Sequence, residues 1–484
     1  MEFGRAWDTV AHMKSYEFVV IGGGSAGYAG ARTALDLGLK TAVIDGAETL
    51  GGLCILKGCM PSKTLIESAN RFRVMREANE FGLRAENLAV KPEEIIARKR
   101  RLIGEFAEYR QEQLETKPFD LIRGKARFLD ANRLEVSLRD GGTEEIHAET
   151  ILIATGSTIS TVSVPGLDEI SYLTSDDVLD RPTLPTSIIV LGGGAIALEL
   201  AHYYNGLGVE VTVIQRSPQL LKSADKDVAD TLQVALESHG MTIFTGTQLL
   251  DAEMKDGQRC VRFRYNGEVQ ECLAEEILMA TGRFPNTATL DLKTAKVLTN
   301  RRGGIDVTAQ QASSQPHIFA AGDVGSPIEV VHIAITQGEN AAHNAALHLG
   351  KLPGKSPKTT DYRLKLFGIF TEPEIGMVGM TEAEAEAAGI PFEVATYPFE
   401  DHGKSIVSGA LHGFVKLIAH KDDGRLLGGA VIGPHAVELI HEITVAMYFN
   451  ATARQLAEIP HYHPTLSEIW TYPAEDLAES CHTN

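Results

Sequence analysis

The sequence predicts an α/β fold in which one parallel-sheet plan occurs twice, followed by a smaller α+β portion. Three observations predict it. Residues 16–45 read as strand, glycine turn, helix and strand, in the pieces YEFVVI, GGGSAG, YAGARTALDLG and KTAVID. Residues 187–215 repeat that plan as SIIVL, GGGAIA, LELAHYYNGLG and VEVTVIQ. From about residue 357 the pattern changes to strands such as GFVKLIAH mixed with amphipathic helices such as AVELIHEITVAMYF. Short continuous apolar runs closed by glycine turns mark strands covered on both faces, the habit of parallel sheets.

In the first copy Gly22 permits the tight turn, Gly24 lets backbone approach a pyrophosphate, and Gly27 lets helix and strand pack closely. The helix start that follows offers unpaired N–H groups to phosphates. Asp45 ends the second strand, where a carboxylate accepts from a ribose hydroxyl. The second copy has Gly192 and Gly194 in the same places. Each copy is therefore expected to be a Rossmann-like three-layer domain holding a dinucleotide. One such match is weak evidence; two in register, each with strand and helix flanks, are specific.

Between the copies lie a charged helical stretch, roughly 62–117, and a β-rich segment ending in ILIATGS, which holds Thr155 and Gly156. ILMATGRFPN, with Gly282, follows the second copy, and HIFAAGDV, with Asp323, comes next. KLPGKSPKTT reads as a linker, because Pro and Gly interrupt periodic structure there. The expected division is a leader at 1–15, then segments 16–158, 159–286, 287–356 and 357–484.

The second copy differs from the first in ways that bear on cofactor choice. Ala197 replaces the third glycine and Gln215 the strand-end acid, while Arg216 and then Lys222 follow. A carboxylate there repels a 2′-phosphate, whereas Arg and Lys attract one. NADPH is therefore expected over NADH, with NADH still possible.

Cys54 and Cys59 stand five residues apart in GGLCILKGCMPSK, just after the first copy. On an ideal helix that spacing separates Cα atoms by roughly 8–9 Å, and a disulfide needs about 4.4–6.8 Å. A bridge between them requires the backbone to leave the helix, and Gly58 supplies that freedom. A bridge in such a turn is easier to reduce than a structural one.

Composition narrows the class further. The net charge of −19 argues against nucleic acid and anionic membrane surfaces as partners. No apolar run approaches the roughly 18 residues of a membrane span. The opening MEFGRAWDTVAHMKS lacks the apolar core of a secretory signal, and Met13 is a candidate natural start. Five cysteines in 484 residues suit a reducing cytoplasm, where a close pair is redox-active rather than structural. No metal site is expected.

GGGSAG, GGLCILKGCMPSK, ILIATGS, GGGAIALEL, ATGRFPN, FAAGDV and HYHPTLSE, in that order, resemble the flavoprotein pyridine nucleotide–disulfide oxidoreductases across essentially the whole chain. That resemblance implies FAD in the first site, NAD(P)H in the second, and a homodimer formed through the C-terminal domain. It also implies residue roles. Cys59 matches the thiol nearest the flavin and Cys54 the interchange thiol. Lys63 matches the lysine beside the flavin and Glu199 its carboxylate partner, Gly52 lies in the flavin turn, and Asp323 resembles the ribitol-binding aspartate. His463 resembles the acid–base, and Glu468 the carboxylate that orients it. His461 and His332 read as structural, since neither has an orienting acid nearby in sequence.

Three positions depart from the family pattern. Leu53 and Leu56 stand where polar residues flank the first cysteine, and Ala195 stands at the nicotinamide gate. The segments HPTLSE and HIAITQG look most like dihydrolipoamide dehydrogenase, so lipoamide is the leading substrate among small disulfides. A mercuric-reductase-like metal reductase is the runner-up, weakened by the single Cys481 in the tail AESCHTN. A flavin-binding sensor without turnover is the alternative from another class, disfavoured by the intact Cys pair.

Overall fold

The computed structural model describes residues 13–481, and the chain divides into two compact units. Residues 1–12 of the expected leader lie outside the described part. Lys14 and Ser15, also assigned to that leader, are already in the first strand, Lys14–Ile21.

The first unit comprises the chain up to Leu56 together with Gly104–Thr158 and Arg283–Thr360. Its parallel sheet runs Asp120–Phe128, Thr41–Asp45, Lys14–Ile21, Thr143–Ile153, Ile318–Ala320. Arg133–Leu138 pairs antiparallel with extensions of Asp120–Phe128 and Thr143–Ile153. Strand alternation sorts the first strand into two cores: Val19 and Ile21 join one, and Phe18 and Val20 join the other. The second of these is closed by apolar residues of two helices, Ser25–Asp36 and Val331–His348. Both faces are thus covered, which is why the run carries no alternating polar residues.

The second unit comprises Lys57–Ile103, Ile159–Gly282 and the chain from Asp361. Residues 57–103, part of the expected first segment, group here. A five-stranded parallel sheet runs Thr242–Phe244, Glu210–Ile214, Ser187–Leu191, Glu276–Met279, Leu173–Thr174. Helix Cys59–Glu77 contributes Leu65, Ile66 and Ala69 to the same core as helix Ala195–Gly206. Gln248–Lys255, Gln258–Tyr265 and Glu268–Ala274 form a three-stranded antiparallel sheet. The chain from Asp361 holds a five-stranded antiparallel sheet, ordered Leu366–Ile369, Glu374–Gly379, Leu426–Gly433, Phe414–His420, Phe392–Pro398. Helices Ala436–Tyr448 and Thr471–Ser480 complete its core.

Candidate active site

In the first unit the sequence-expected turn is built as a cradle. Gly22 has φ +102°, and a Cβ there would lie 2.5 Å from the Ala154 carbonyl oxygen. A Cβ on Gly27 would lie 1.8 Å from the carbonyl oxygen of Gly22, so no side chain fits where helix meets turn. Gly24 begins the helix Ser25–Asp36 without a side-chain cap, and no acid occupies its first turn. Gly52 comes close enough that a Cβ on it would meet the Gly24 Cα at 2.6 Å. The Asp45 carboxylate accepts from Gly23 N–H at 2.8 Å and from Ala47 N–H at 2.8 Å, so the turn itself fixes its orientation. Uncapped N–H groups over a glycine floor, with a fixed carboxylate at the strand end, fit a dinucleotide such as FAD.

Thr155 donates to the Asn286 carbonyl at 2.7 Å, and the space above Gly156 is open. Asp323 accepts from Ser157 Oγ at 2.6 Å, and Arg283 Nε donates to that same Oγ at 2.8 Å. Burial, and then the Asp323 charge beside it, raise the Glu329 carboxyl above its ordinary value. Ser157 and Arg283 were missed in sequence, although each directly follows a glycine that was noted (Gly156 and Gly282).

Cys54 is half-buried in the short helix Gly52–Leu56, where Leu53 and Leu56 flank it. The helix ends there, and Cys59 opens the next one, Cys59–Glu77. The intervening Gly58 has φ −127° and ψ −118°, so the backbone leaves the helix between the cysteines. Cys59 is also half-buried. Arg110 was not anticipated. Its guanidinium lies 4.3 Å from the Tyr28 ring centroid. Burial pushes its pKa down, while Tyr28 and Cys54 act in the opposite direction.

In the second unit Lys63 and Glu199 meet as their motifs implied. Lys63 Nζ donates to both Glu199 oxygens, at 2.9 and 2.7 Å. Phe370 N–H donates to Glu199 at 3.1 Å, and Lys63 Nζ sits 4.7 Å from the Phe370 ring centroid. The second turn repeats the first: Gly192 has φ +125°, Gly194 starts its helix with open space above it, and Ala197 is buried. Gly282 likewise faces open space. Gln215 packs its Cβ and Cγ against Gly193. Arg216 and Lys222 are exposed, and neither has an ion-pair partner among the described residues. That pattern fits a nicotinamide dinucleotide.

Near the C-terminal end, His463 Nδ1 lies 2.9 Å from Glu468 Oε2. The Glu468 turn, Ser467–Trp470, is anchored by buried Ile469 and by buried Trp470, whose Nε1 donates to the Leu439 carbonyl. The His463 side chain is 78% exposed and that of Glu468 13%. With Nδ1–H given to the carboxylate, Nε2 is the ring nitrogen that keeps its lone pair. His461 does have an acid partner: its Nε2 lies 2.6 Å from Glu442 Oε1, on the helix Ala436–Tyr448. Sequence distance hid that pairing. His332 is exposed on the helix Val331–His348.

Residues 16–338 match the family model for pyridine nucleotide-disulphide oxidoreductases. The chain belongs to that family. Residues 367–474 match its dimerisation domain. Dihydrolipoyl dehydrogenase of Bacillus subtilis is 34% identical over 465 residues, covering 94% of this chain and 96% of that one. The enzyme of the same name from Thermus scotoductus is 35% identical over 473 residues, covering 96% and 98%. Among solved structures, LpdA of Mycobacterium tuberculosis superposes with TM-score 0.84 at 28% identity, covering 96% and 100%. The HOCl-induced flavoprotein disulfide reductase RclA of Escherichia coli, as its Cu(II) complex, gives 0.83 at 26%, covering 96% and 99%. The fold is that of the flavoprotein disulfide reductases, with an FAD-binding domain and a C-terminal dimerisation domain, and the chain is an FAD-dependent disulfide oxidoreductase that uses a pyridine nucleotide.

Proposed function

We propose that this oxidoreductase carries electrons between NADPH and a small disulfide, lipoamide foremost, through the Cys54–Cys59 pair. The observation that carries the reading is His463, clamped at 2.9 Å by a largely buried Glu468 yet 78% exposed itself. A base so oriented and so exposed is suited to sulfurs outside its own surroundings, such as those of a second protomer. We read the working form as a homodimer on that ground and on the matched dimerisation domain.

Bound FAD supplies two-electron transfer between nicotinamide and thiols. Gly22, Gly24, Gly27, Gly52, Asp45, Thr155, Gly156 and Asp323 would hold it, and Gly192, Gly194, Ala197 and Gly282 the nicotinamide dinucleotide. The Lys63–Glu199 pair keeps a fixed cation and carboxylate in the second unit. Cys54 attacks the substrate sulfur as a thiolate, and Cys59 resolves the mixed disulfide. His463 Nε2 takes and returns the proton, and Glu468 holds the required tautomer. Arg216 and Lys222, with Gln215 in place of an acid, favour the 2′-phosphate of NADPH.

Lipoamide is favoured by the two bacterial relatives named above, dihydrolipoyl dehydrogenases at 34% and 35% identity. A metal ion as electron acceptor is the second reading, favoured by the likeness to a reductase solved as a Cu(II) complex. Cys481 lends that reading no thiol, being only 4% exposed. No helix among the described residues is long and apolar enough to cross a membrane, and the sparse cysteines favour a reducing cytoplasm. The test is a steady-state panel of lipoamide, glutathione disulfide, Cu(II) and mercuric ion with both nicotinamides. The expected result is fastest turnover of lipoamide with NADPH; a clear preference for a metal ion overturns the substrate, and one for NADH overturns the nucleotide.

A further inference from the structure

Glu468 touches two imidazoles. Its Oε2 lies on exposed His463, and its Oε1 lies 3.4 Å from Nε2 of His402, a residue with 0% side-chain exposure. The other ring nitrogen of His402, Nδ1, lies 2.8 Å from Ser405 Oγ. Nε2 has no hydrogen-bond partner of ordinary geometry among the described residues. It is a buried polar atom aimed at a carboxylate.

We propose that His402 is a positioning residue for the acid–base pair: it holds Glu468 from behind, so that the opposite oxygen stays on His463. This rests on reading His463 and Glu468 as the acid–base pair.

The ring chemistry supports the assignment. Burial lowers the His402 pKa, with the nearby His463 acting in the same direction and Glu468 against it, so the ring is neutral. A neutral ring that accepts the Ser405 hydroxyl proton at Nδ1 carries its own hydrogen on Nε2, facing Glu468. A charged His402 would neutralise the carboxylate that must stabilise the His463 imidazolium; a neutral donor orients it and leaves its charge intact. The 3.4 Å separation is long for a hydrogen bond, and such contacts tighten once substrate and charge arrive.

Other groups facing the ring leave this geometry to His402. Tyr472 presents its ring 6.4 Å away, nearly perpendicular. Tyr397 stacks on Tyr472 at 4.0 Å and points its hydroxyl at the Asp401 carbonyl. Apart from Glu468 and His463, no acid or base is paired with the imidazole among the described residues. The local role of His402, in which its carbonyl accepts from Ile406 N–H and Nδ1 meets Ser405, leaves Nε2 unused. That nitrogen serves the longer-range contact.

The test uses FAD-loaded His402→Phe, His402→Gln, Ser405→Ala and His463→Gln enzymes, with lipoamide as probe and NADPH as donor. His402→Phe is expected to lower kcat about tenfold, the weak end of losing a hydrogen bond to a charged group. It should also move the kinetic histidine pKa downward, since a loosened Glu468 stabilises imidazolium less. His402→Gln, which keeps a donor, should recover most of both. If His402→Phe fails to fold, Ser405→Ala carries the test, because freeing the tautomer should shift the same pKa in the same direction. An unchanged pH profile in the folded variants overturns the proposal. So does an equal loss in the Phe and Gln variants that tracks melting temperature without moving the pKa. Full turnover by His463→Gln overturns the acid–base reading along with it, whereas loss there beside an unaffected His402 series sinks the positioning role alone.

Discussion

Lys63 and Glu199, separated by 136 positions in sequence, form a two-pronged ion pair at 2.9 and 2.7 Å on the face of Phe370. Glu199 is 7% exposed and Lys63 30%, so neither charge is easily spared by water. Lys63→Met leaves a buried carboxylate that keeps, among the described residues, only the Phe370 N–H to satisfy it. That should cost on the order of 2 kcal/mol, below the range for a fully buried pair because Lys63 is partly wet. Denaturant unfolding of the apoprotein measures this cost. Glu199→Gln should be milder in stability yet slow flavin reduction by NADPH at least tenfold in rapid mixing. A variant with the wild-type reduction rate would remove the pair from the hydride path.

Gly27 has no room for a Cβ, which would fall 1.8 Å from the Gly22 carbonyl oxygen. Gly27→Val must therefore push the helix Ser25–Asp36 off the turn and spoil the phosphate cradle. Purified Gly27→Val should carry little flavin by absorbance, while the chain still folds in part. Full flavin content would contradict the assigned cradle.

Arg216 and Lys222 are exposed beyond the second turn, and neither has an ion-pair partner among the described residues. Arg216→Ala and Lys222→Ala should each raise KM for NADPH, the double variant by about tenfold or more, equivalent to about 1.4 kcal/mol. KM for NADH should hardly move. A uniform rise for both nucleotides would mean that the two cations do not read the 2′-phosphate.

His202, buried on the helix Ala195–Gly206, lies 2.7 Å from Asn70 Oδ1, and burial pushes its pKa down to about 3. The folded ring stays neutral where the unfolded ring, with its ordinary pKa near 6.5, takes up a proton. Stability contributed by the neutral ring is therefore present above the unfolded pKa and lost as pH falls toward the folded one. Between pH 7 and 5 the loss is about 2 kcal/mol. The stability gap between wild type and His202→Gln, measured by denaturant unfolding, should narrow by that amount at pH 5. A gap independent of pH would show that His202 is not buried neutral.

Much of this was legible in the sequence, for a physical reason. Continuous apolar runs and turn glycines are local signals, so both strand–turn–helix units could be read where they occur. Gly58 between two cysteines likewise announced the break between helices. What stayed hidden was set by packing between remote segments. His461 reaches Glu442 only because the helix Ala436–Tyr448 passes beside it. His402 meets Glu468 only once the sheet around Phe399 and Val415 and the turn around Trp470 share one core. Both Asp45 oxygens are engaged by backbone N–H groups of Gly23 and Ala47, which the residue's identity alone does not reveal.

Anaerobic reduction of the FAD-loaded enzyme by one equivalent of NADPH, in wild type and in Cys54→Ser, tests the thiol relay most directly. The account predicts long-wavelength thiolate-to-flavin absorbance that appears on reduction of the wild type. In Cys54→Ser, which has no disulfide to accept the electrons, it is present beforehand and bleaches as the flavin is reduced, and lipoamide turnover occurs only in the wild type. Absorbance lacking in the wild type, or lipoamide turnover surviving in Cys54→Ser, would contradict it.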